Sequence, residues 1–282
     1  MKQECCAVVA VHGIGSGTES ERRGFSKSLA TLVYGSQHYD EDSWQESVWE
    51  GENESFDRVM RKIVKRLIKK DIFPSVLSVK GWRNQLKCFA AKVACFALKE
   101  RYGEALVDYS MAVLDALFDF VRYLDSDNGK KMRSRVRNDI ERICKSHKEG
   151  VVVLAHSLGS LIAHDVLHEM TSGSASGNSI KAFITIGSPI QWAFELRDVD
   201  DKQEKDWFSI GEVPWFNFFY SEDPVAIDGP IDGKIFSGVE NICLDLPEEL
   251  RKLQTSWKAH CAYWEDAAFA ERIRSIIGLN VD

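Results

Sequence analysis

Two short apolar runs, each ending in a glycine-punctuated turn, constrain this chain most. Residues 151–155 read Val-Val-Val-Leu-Ala and lead into His156-Ser157-Leu158-Gly159; residues 6–11 read Cys-Ala-Val-Val-Ala-Val and lead into His12-Gly13-Ile14-Gly15-Ser16-Gly17. Runs rich in β-branched residues without polar alternation suit strands covered on both faces, as in a parallel sheet between layers of helix. Helix-like sequence follows each run, over 19–34 and 158–170. The pattern predicts further strands over 43–49, 181–186, 215–220 and 239–244. Further helices are expected over 56–70, 84–99, 104–124, 133–146 and 266–277. Strands alternating with helices give an α/β fold with a mostly parallel central sheet flanked by helices. A chain of 282 residues accommodates this as a single domain, 1–282.

Charge and cysteine content narrow the function classes. The formal net charge is −7, which argues against a nucleic-acid partner, since such proteins carry a basic excess. Seven scattered cysteines without a Cys-x-x-Cys pair suggest neither a zinc site nor a disulfide framework. Glu4 interrupts what a signal peptide would need apolar, and no apolar stretch approaches the ~20 residues of a membrane span. The expectation is a soluble, reduced, cytoplasmic protein.

The middle of the chain departs from this balance. Residues 57–101 hold thirteen basic against three acidic side chains, a local charge of +10, which leaves −17 elsewhere. Val59, Met60, Ile63, Val64, Leu67 and Ile68 line one face of the first helix there, with cations on the other. The 104–124 helix carries only the narrow polar stripe Asp108, Asp115 and Asp119, and is expected to be well covered.

Chemistry concentrates at Ala155-His156-Ser157-Leu158-Gly159, set between a buried strand and a helix. A serine at such a turn is pushed out above the sheet with a helix N-terminus behind it, provided the residues two before and two after are small. The alternative is a serine that merely caps the helix. A phosphate-binding loop at residues 12–17 is discounted: no Gly-Lys-Ser/Thr follows, and the glycine spacing misses the dinucleotide fingerprint.

In these residues the chain resembles the α/β-hydrolase superfamily of serine hydrolases, in its lipase- and esterase-like branch, with Ala155 replacing the first glycine of Gly-x-Ser-x-Gly. The resemblance extends over almost the whole chain through His12-Gly13-Ile14-Gly15, Gly187-Ser188-Pro189-Ile190 and Asp223-Pro224-Val225-Ala226. It implies Ser157 as nucleophile, and backbone amides of Ile14 (or Gly13) and Leu158 as the oxyanion hole. Family order, serine then acid then histidine, directs attention downstream. His164 and His168 lie too close to Ser157 on the departing helix, which leaves His260 as base; His156 is assigned to packing. Asp223, just past a strand end and fixed by Pro224, is the acid, while Glu222, Asp228, Asp232 and Asp245 read as turn or surface carboxylates. The implied activity is hydrolysis of a carboxylic ester through an acyl-enzyme, with no metal or organic cofactor. An ester or lipid substrate is the implied partner. Thioesterase or amidase activity, or a non-catalytic binding module on the same fold, stays open.

Residues 56–124 fall outside the minimal fold and are read as a helical cap over the site. Two readings of the basic face at 57–101 stand: peripheral contact with an anionic membrane, or a solvated face of a helix packed on the sheet.

Overall fold

The computed structural model describes residues 6–13, 19–35, 42–49, 120, 123, 126–172, 179–191, 193, 209–226, 229–248 and 256–279. Ile14, Asp228 and the basic stretch 57–101 lie outside these residues. So does the expected cap 56–124, except for Phe120 and Tyr123.

Six strands form one all-parallel sheet: β1 (Ala7–Val11), β2 (Trp44–Ser47), β3 (Val151–His156), β4 (Ile180–Ile186), β5 (Trp215–Tyr220) and β6 (Val239–Leu244). Their order across the sheet is β2-β1-β3-β4-β5-β6. Helix α1 (Glu19–Tyr34) connects β1 to β2, α2 (Ser126–Ser146) precedes β3, and α3 (Leu158–Thr171) connects β3 to β4. After β6 come α4 (Ser256–Ala262), a 3₁₀ turn (Tyr263–Glu265) and α5 (Ala267–Ile277). No described helix is long and apolar enough to cross a membrane.

The central strands show why their sequence lacks polar alternation. Ala7, Val9 and Val11 of β1 and Val151, Val153 and Ala155 of β3 pack toward α2 and α3. Val8, Ala10, Val152 and Leu154 pack on the opposite face against α1, α5 and the aromatic pair Tyr263–Trp264. Each side chain is completely buried within β1 and β3 up to Ala155. At about 1.5–3 kcal/mol per fully buried aliphatic side chain, these two layers supply much of the stability.

Two expected elements shift by more than one residue at an edge, and one helix was not expected. Strand β2 stops at Ser47 rather than continuing to residue 49, because Trp49 leaves the ladder and donates its indole N–H to the His12 carbonyl, 2.6 Å away. Helix α2 starts at Ser126, ahead of the expected 133, across Gly129. That glycine is required by contact: a Cβ there would sit 2.3 Å from the Tyr123 carbonyl oxygen. Helix α4 is new relative to the sequence reading; seven residues fall well below the ~12–15 that give a helix stability of its own. Phe120 and Tyr123 are helical and 1 % and 2 % exposed, as the apolar 104–124 pattern requires at those positions.

Strand order then positions a site. From β1 the chain steps outward to β2, but from β3 onward it steps the other way. In parallel α/β sheets the crevice beyond the strand C-termini at such a reversal is where ligands bind. His12-Gly13 follows the end of β1 and Ser157 follows the end of β3.

Candidate active site

Ser157 has φ 53° and ψ −132°, and among described residues it is the one non-glycine residue with positive φ. This conformation is costly for a residue with a Cβ and persists only where surroundings impose it. The backbone supplies that restraint: the Ser157 N–H donates to the Ile186 carbonyl at 3.1 Å, and the Ser157 carbonyl accepts the Ser160 N–H at 2.9 Å. Two glycines permit the turn. A Cβ on Gly159 would lie 2.1 Å from the His12 carbonyl oxygen, and one on Gly13 would lie 2.5 Å from the Ser157 Cβ. The His12-Gly13 turn thus passes directly beside the serine. The Ser157 side chain is buried, and its hydroxyl makes no hydrogen bond among the described residues, including none to His260.

Asp223 and His260 meet. The His260 Nδ1 lies 3.0 Å from both Asp223 carboxylate oxygens, and both residues are buried. Because a carboxylate only accepts, Nδ1 carries the hydrogen, which leaves Nε2 as the proton-accepting nitrogen of the neutral ring. Asp223 also accepts the Val225 backbone N–H and the Tyr263 hydroxyl, each at 2.8 Å. Burial alone would raise its pKa. The charge and hydrogen bond of His260, with the Val225 and Tyr263 donors, outweigh that and hold it below the ordinary carboxylate value. The carboxylate is therefore ionised at neutral pH. Gly187, at φ +53°, allows the pair to form: a Cβ there would sit 2.7 Å from the Asp223 Oδ2 and 2.9 Å from the His260 Nδ1.

Tyr263 and His156 are parts of this arrangement that sequence reasoning did not assign to it. Tyr263 accepts the Tyr220 backbone N–H at 3.0 Å while donating to Asp223, and its ring stacks on Tyr220 with centroids 4.4 Å apart. Tyr220 in turn donates to Asp266, whose other oxygen caps α5. This network ties the segment bearing His260 to the end of β5, where Asp223 follows. No local motif announces it; the three-residue step from His260 to Tyr263 was the available signal.

His156 does more than pack. Its Nε2 lies 2.8 Å from the His260 carbonyl oxygen and its ring lies 4.5 Å from the His260 ring, between centroids. A carbonyl only accepts, so Nε2 donates. Burial, reinforced by the neighbouring His260, pushes the His156 pKa down to about 3. The unfolded chain would take up this proton near pH 6.5, so its proton uptake exceeds that of the folded state between pH 6.5 and 3. Stability is full above that window and declines as pH falls through it. From pH 7 to pH 5 the loss from this residue is about 2 kcal/mol. Urea denaturation of wild type and His156→Gln at both pH values should show the variant losing less stability on acidification by about that amount; equal losses would contradict this.

Of the other expected residues, some are placed by the structure and others, Ile14 and Asp228 among them, lie outside the described residues. Leu158 opens α3, so its amide is among the first-turn donors that lack an intrahelical acceptor. Ile14 is not among the described residues. His164 is buried against Trp215 and Phe236, and His168 contacts the Ser209 carbonyl at 2.9 Å, so neither joins the site. Asp232 and Asp245 are exposed, and Glu222 accepts from the Ser221 hydroxyl. Among the described residues no three His, Cys, Asp or Glu side chains gather as a metal site.

No curated protein sequence matches this chain. Residues 112–197, which carry α2, β3, Ser157, α3, β4 and Gly187, match the family model described as lecithin:cholesterol acyltransferase. Together with the parallel sheet, that match makes the chain similar to an α/β-hydrolase family of lipases and acyltransferases, and supports an esterase- or acyltransferase-type enzyme acting on lipid.

Proposed function

We propose that this protein transfers an acyl group from a lipid ester, to water or to an alcohol, through an acyl-serine at Ser157. The hydrogen bond from His260 to Asp223 carries this reading, because it holds the imidazole in the tautomer with Nδ1 protonated that a general base needs; the Ser157 turn at φ 53° supports it as the nucleophile's position. In the first step His260 takes the Ser157 proton as the oxygen attacks the ester carbonyl, and Asp223 stabilises the imidazolium. The amides of Leu158 and of Gly13 or Ile14 hold the oxyanion; losing one such donor typically costs about 3–4 kcal/mol of barrier. His260 then protonates the leaving alcohol and activates the acyl acceptor. The Ser157–His260 hydrogen bond forms on substrate binding in this scheme, as catalytic contacts in free enzymes often do.

A fluorophosphonate probe tests the nucleophile. Wild-type protein is expected to label and Ser157→Ala is not. Folded wild-type protein that fails to label points instead to a binding module. The acyl donor and acceptor follow from a panel of short-chain esters, triacylglycerols and phosphatidylcholine vesicles with and without sterol, the last pair suggested by the matched family's description.

The basic stretch 57–101 supports contact of residues 56–124, as a cap, with an anionic lipid surface. Each surface cation contributes about 1 kcal/mol to such attraction, and salt screens it. Co-sedimentation is expected with acidic vesicles at low salt and is expected to fall at high salt. Equal recovery with neutral vesicles, or none with either, would contradict the assignment.

A further inference from the structure

Beneath Ser157 lies a chain of buried hydroxyls that the triad chemistry does not use. The Ser160 Oγ lies 2.6 Å from the Ser157 carbonyl oxygen and 2.7 Å from the Ser188 Oγ, and the Ile190 N–H reaches the Ser188 Oγ at 3.3 Å. Ser160 is completely buried and Ser188 is 6 % exposed.

The direction of this chain is fixed by its ends. A carbonyl can only accept, so the single Ser160 hydrogen is committed to Ser157; Ser188 must therefore donate to Ser160, and Ile190 to Ser188. Every donor points toward one carbonyl, which also accepts the Ser160 backbone N–H at 2.9 Å. That carbonyl belongs to the peptide unit whose nitrogen is the Leu158 amide. A trans peptide is planar with its N–H opposite its C=O, so two donors anchoring the oxygen aim the Leu158 hydrogen the other way. Successive hydrogen bonds polarise one another, so a carbonyl loaded with donors makes its own N–H a stronger donor.

We infer that Ser160 and Ser188 are positioning residues for the oxyanion hole: they orient and polarise the Leu158 amide through the Ser157 carbonyl. This rests on the assignment of Ser157 as nucleophile and Leu158 as oxyanion donor, and gives the Gly187-Ser188-Pro189 motif a chemical role. Gly187 leaves room for the Asp223–His260 pair, and the next residue supports the other half of the site.

The test compares Ser160→Ala and Ser188→Ala with wild type on an oxygen ester and on its thionoester, in which the reacting carbonyl carries sulfur and accepts hydrogen bonds poorly. With the oxygen ester, Ser160→Ala is expected to lower kcat about tenfold with KM little changed, short of the 10²- to 10³-fold loss for deleting a donor outright. Ser188→Ala, which leaves the Ser160 donation intact, is expected to fall between Ser160→Ala and wild type. Both losses should shrink with the thionoester, an interaction that a merely structural role would not produce. Ser188→Ala supplies the comparison if Ser160→Ala fails to fold. Equal losses on both esters, a change in KM alone, or unchanged kcat would overturn the inference. Wild-type protein that fails to label with fluorophosphonate would instead overturn the underlying reading.

Discussion

His260→Ala is expected to lower kcat for ester cleavage by about 10⁴- to 10⁶-fold while the protein remains folded. The size follows from what the ring does. It is the group bonded to Asp223 through Nδ1, which leaves Nε2 to take the Ser157 proton, and an alcohol near neutral pH is a poor nucleophile without such a base. Folding should survive because Asp223 keeps the Val225 N–H and the Tyr263 hydroxyl as donors when the imidazole is gone. The stability lost should be near the ~1.5–3 kcal/mol of one hydrogen bond to a charged group. Asp223→Asn probes the same unit differently. It preserves shape but removes the charge that favours the Nδ1–H tautomer, and is expected to reduce kcat about 10⁴-fold. Because the two residues act together, the double variant should lose little more than His260→Ala alone. Steady-state kinetics with circular dichroism decide it: near-normal turnover in folded His260→Ala would require another base.

The parts legible in the sequence were those with short-range causes. Valine-rich runs over β1 and β3 announced strands covered on both faces, because no alternation meant no solvent side. Ser157 was legible because its turn requires small neighbours, and Gly159 meets the His12 carbonyl closely enough to explain one of them. The pairing of Asp223 with His260 was expected from the order and placement of motifs, and the structure brings their side chains to 3.0 Å.

What escaped had long-range causes. The donation from His156 to the His260 carbonyl joins residues 104 positions apart, and Tyr263 reaches Asp223 across 40. Nothing in the neighbourhood of His156 distinguishes a ring that packs from one that also holds the base's backbone. Helix α4 was hidden for a different reason: at seven residues its stability comes from Ala259, His260 and Ala262 being buried, not from local propensity. Ser188 was noticed only as part of a motif. Its hydroxyl acquired a purpose once α3 placed Ser160 beside it.

Two glycine-to-alanine substitutions are expected to separate the scaffold from the chemistry. Propensity alone would favour Gly159→Ala, since alanine stabilises a helix by about 1 kcal/mol relative to glycine. Contact reverses the sign. The new Cβ would lie 2.1 Å from the His12 carbonyl oxygen, 2.7 Å from its carbon and 2.9 Å from the Val11 oxygen, all backbone atoms at the end of β1. Overpacking against backbone should destabilise the protein by about 3 kcal/mol, and displacing His12-Gly13 should lower activity as well. Gly187→Ala acts elsewhere. Its left-handed φ of +53° carries a strain of roughly 1–2 kcal/mol for any residue with a Cβ, a smaller global effect. The methyl group, however, would stand 2.7 Å from the Asp223 Oδ2 and 2.9 Å from the His260 Nδ1, crowding both partners where they meet. Its kcat should therefore fall toward the about 10⁴-fold loss of Asp223→Asn, far out of proportion to the shift in its urea midpoint. A Gly159→Ala protein more stable than wild type, or a fully active Gly187→Ala protein, would mean that these backbones move aside more easily than such close-packed neighbours allow.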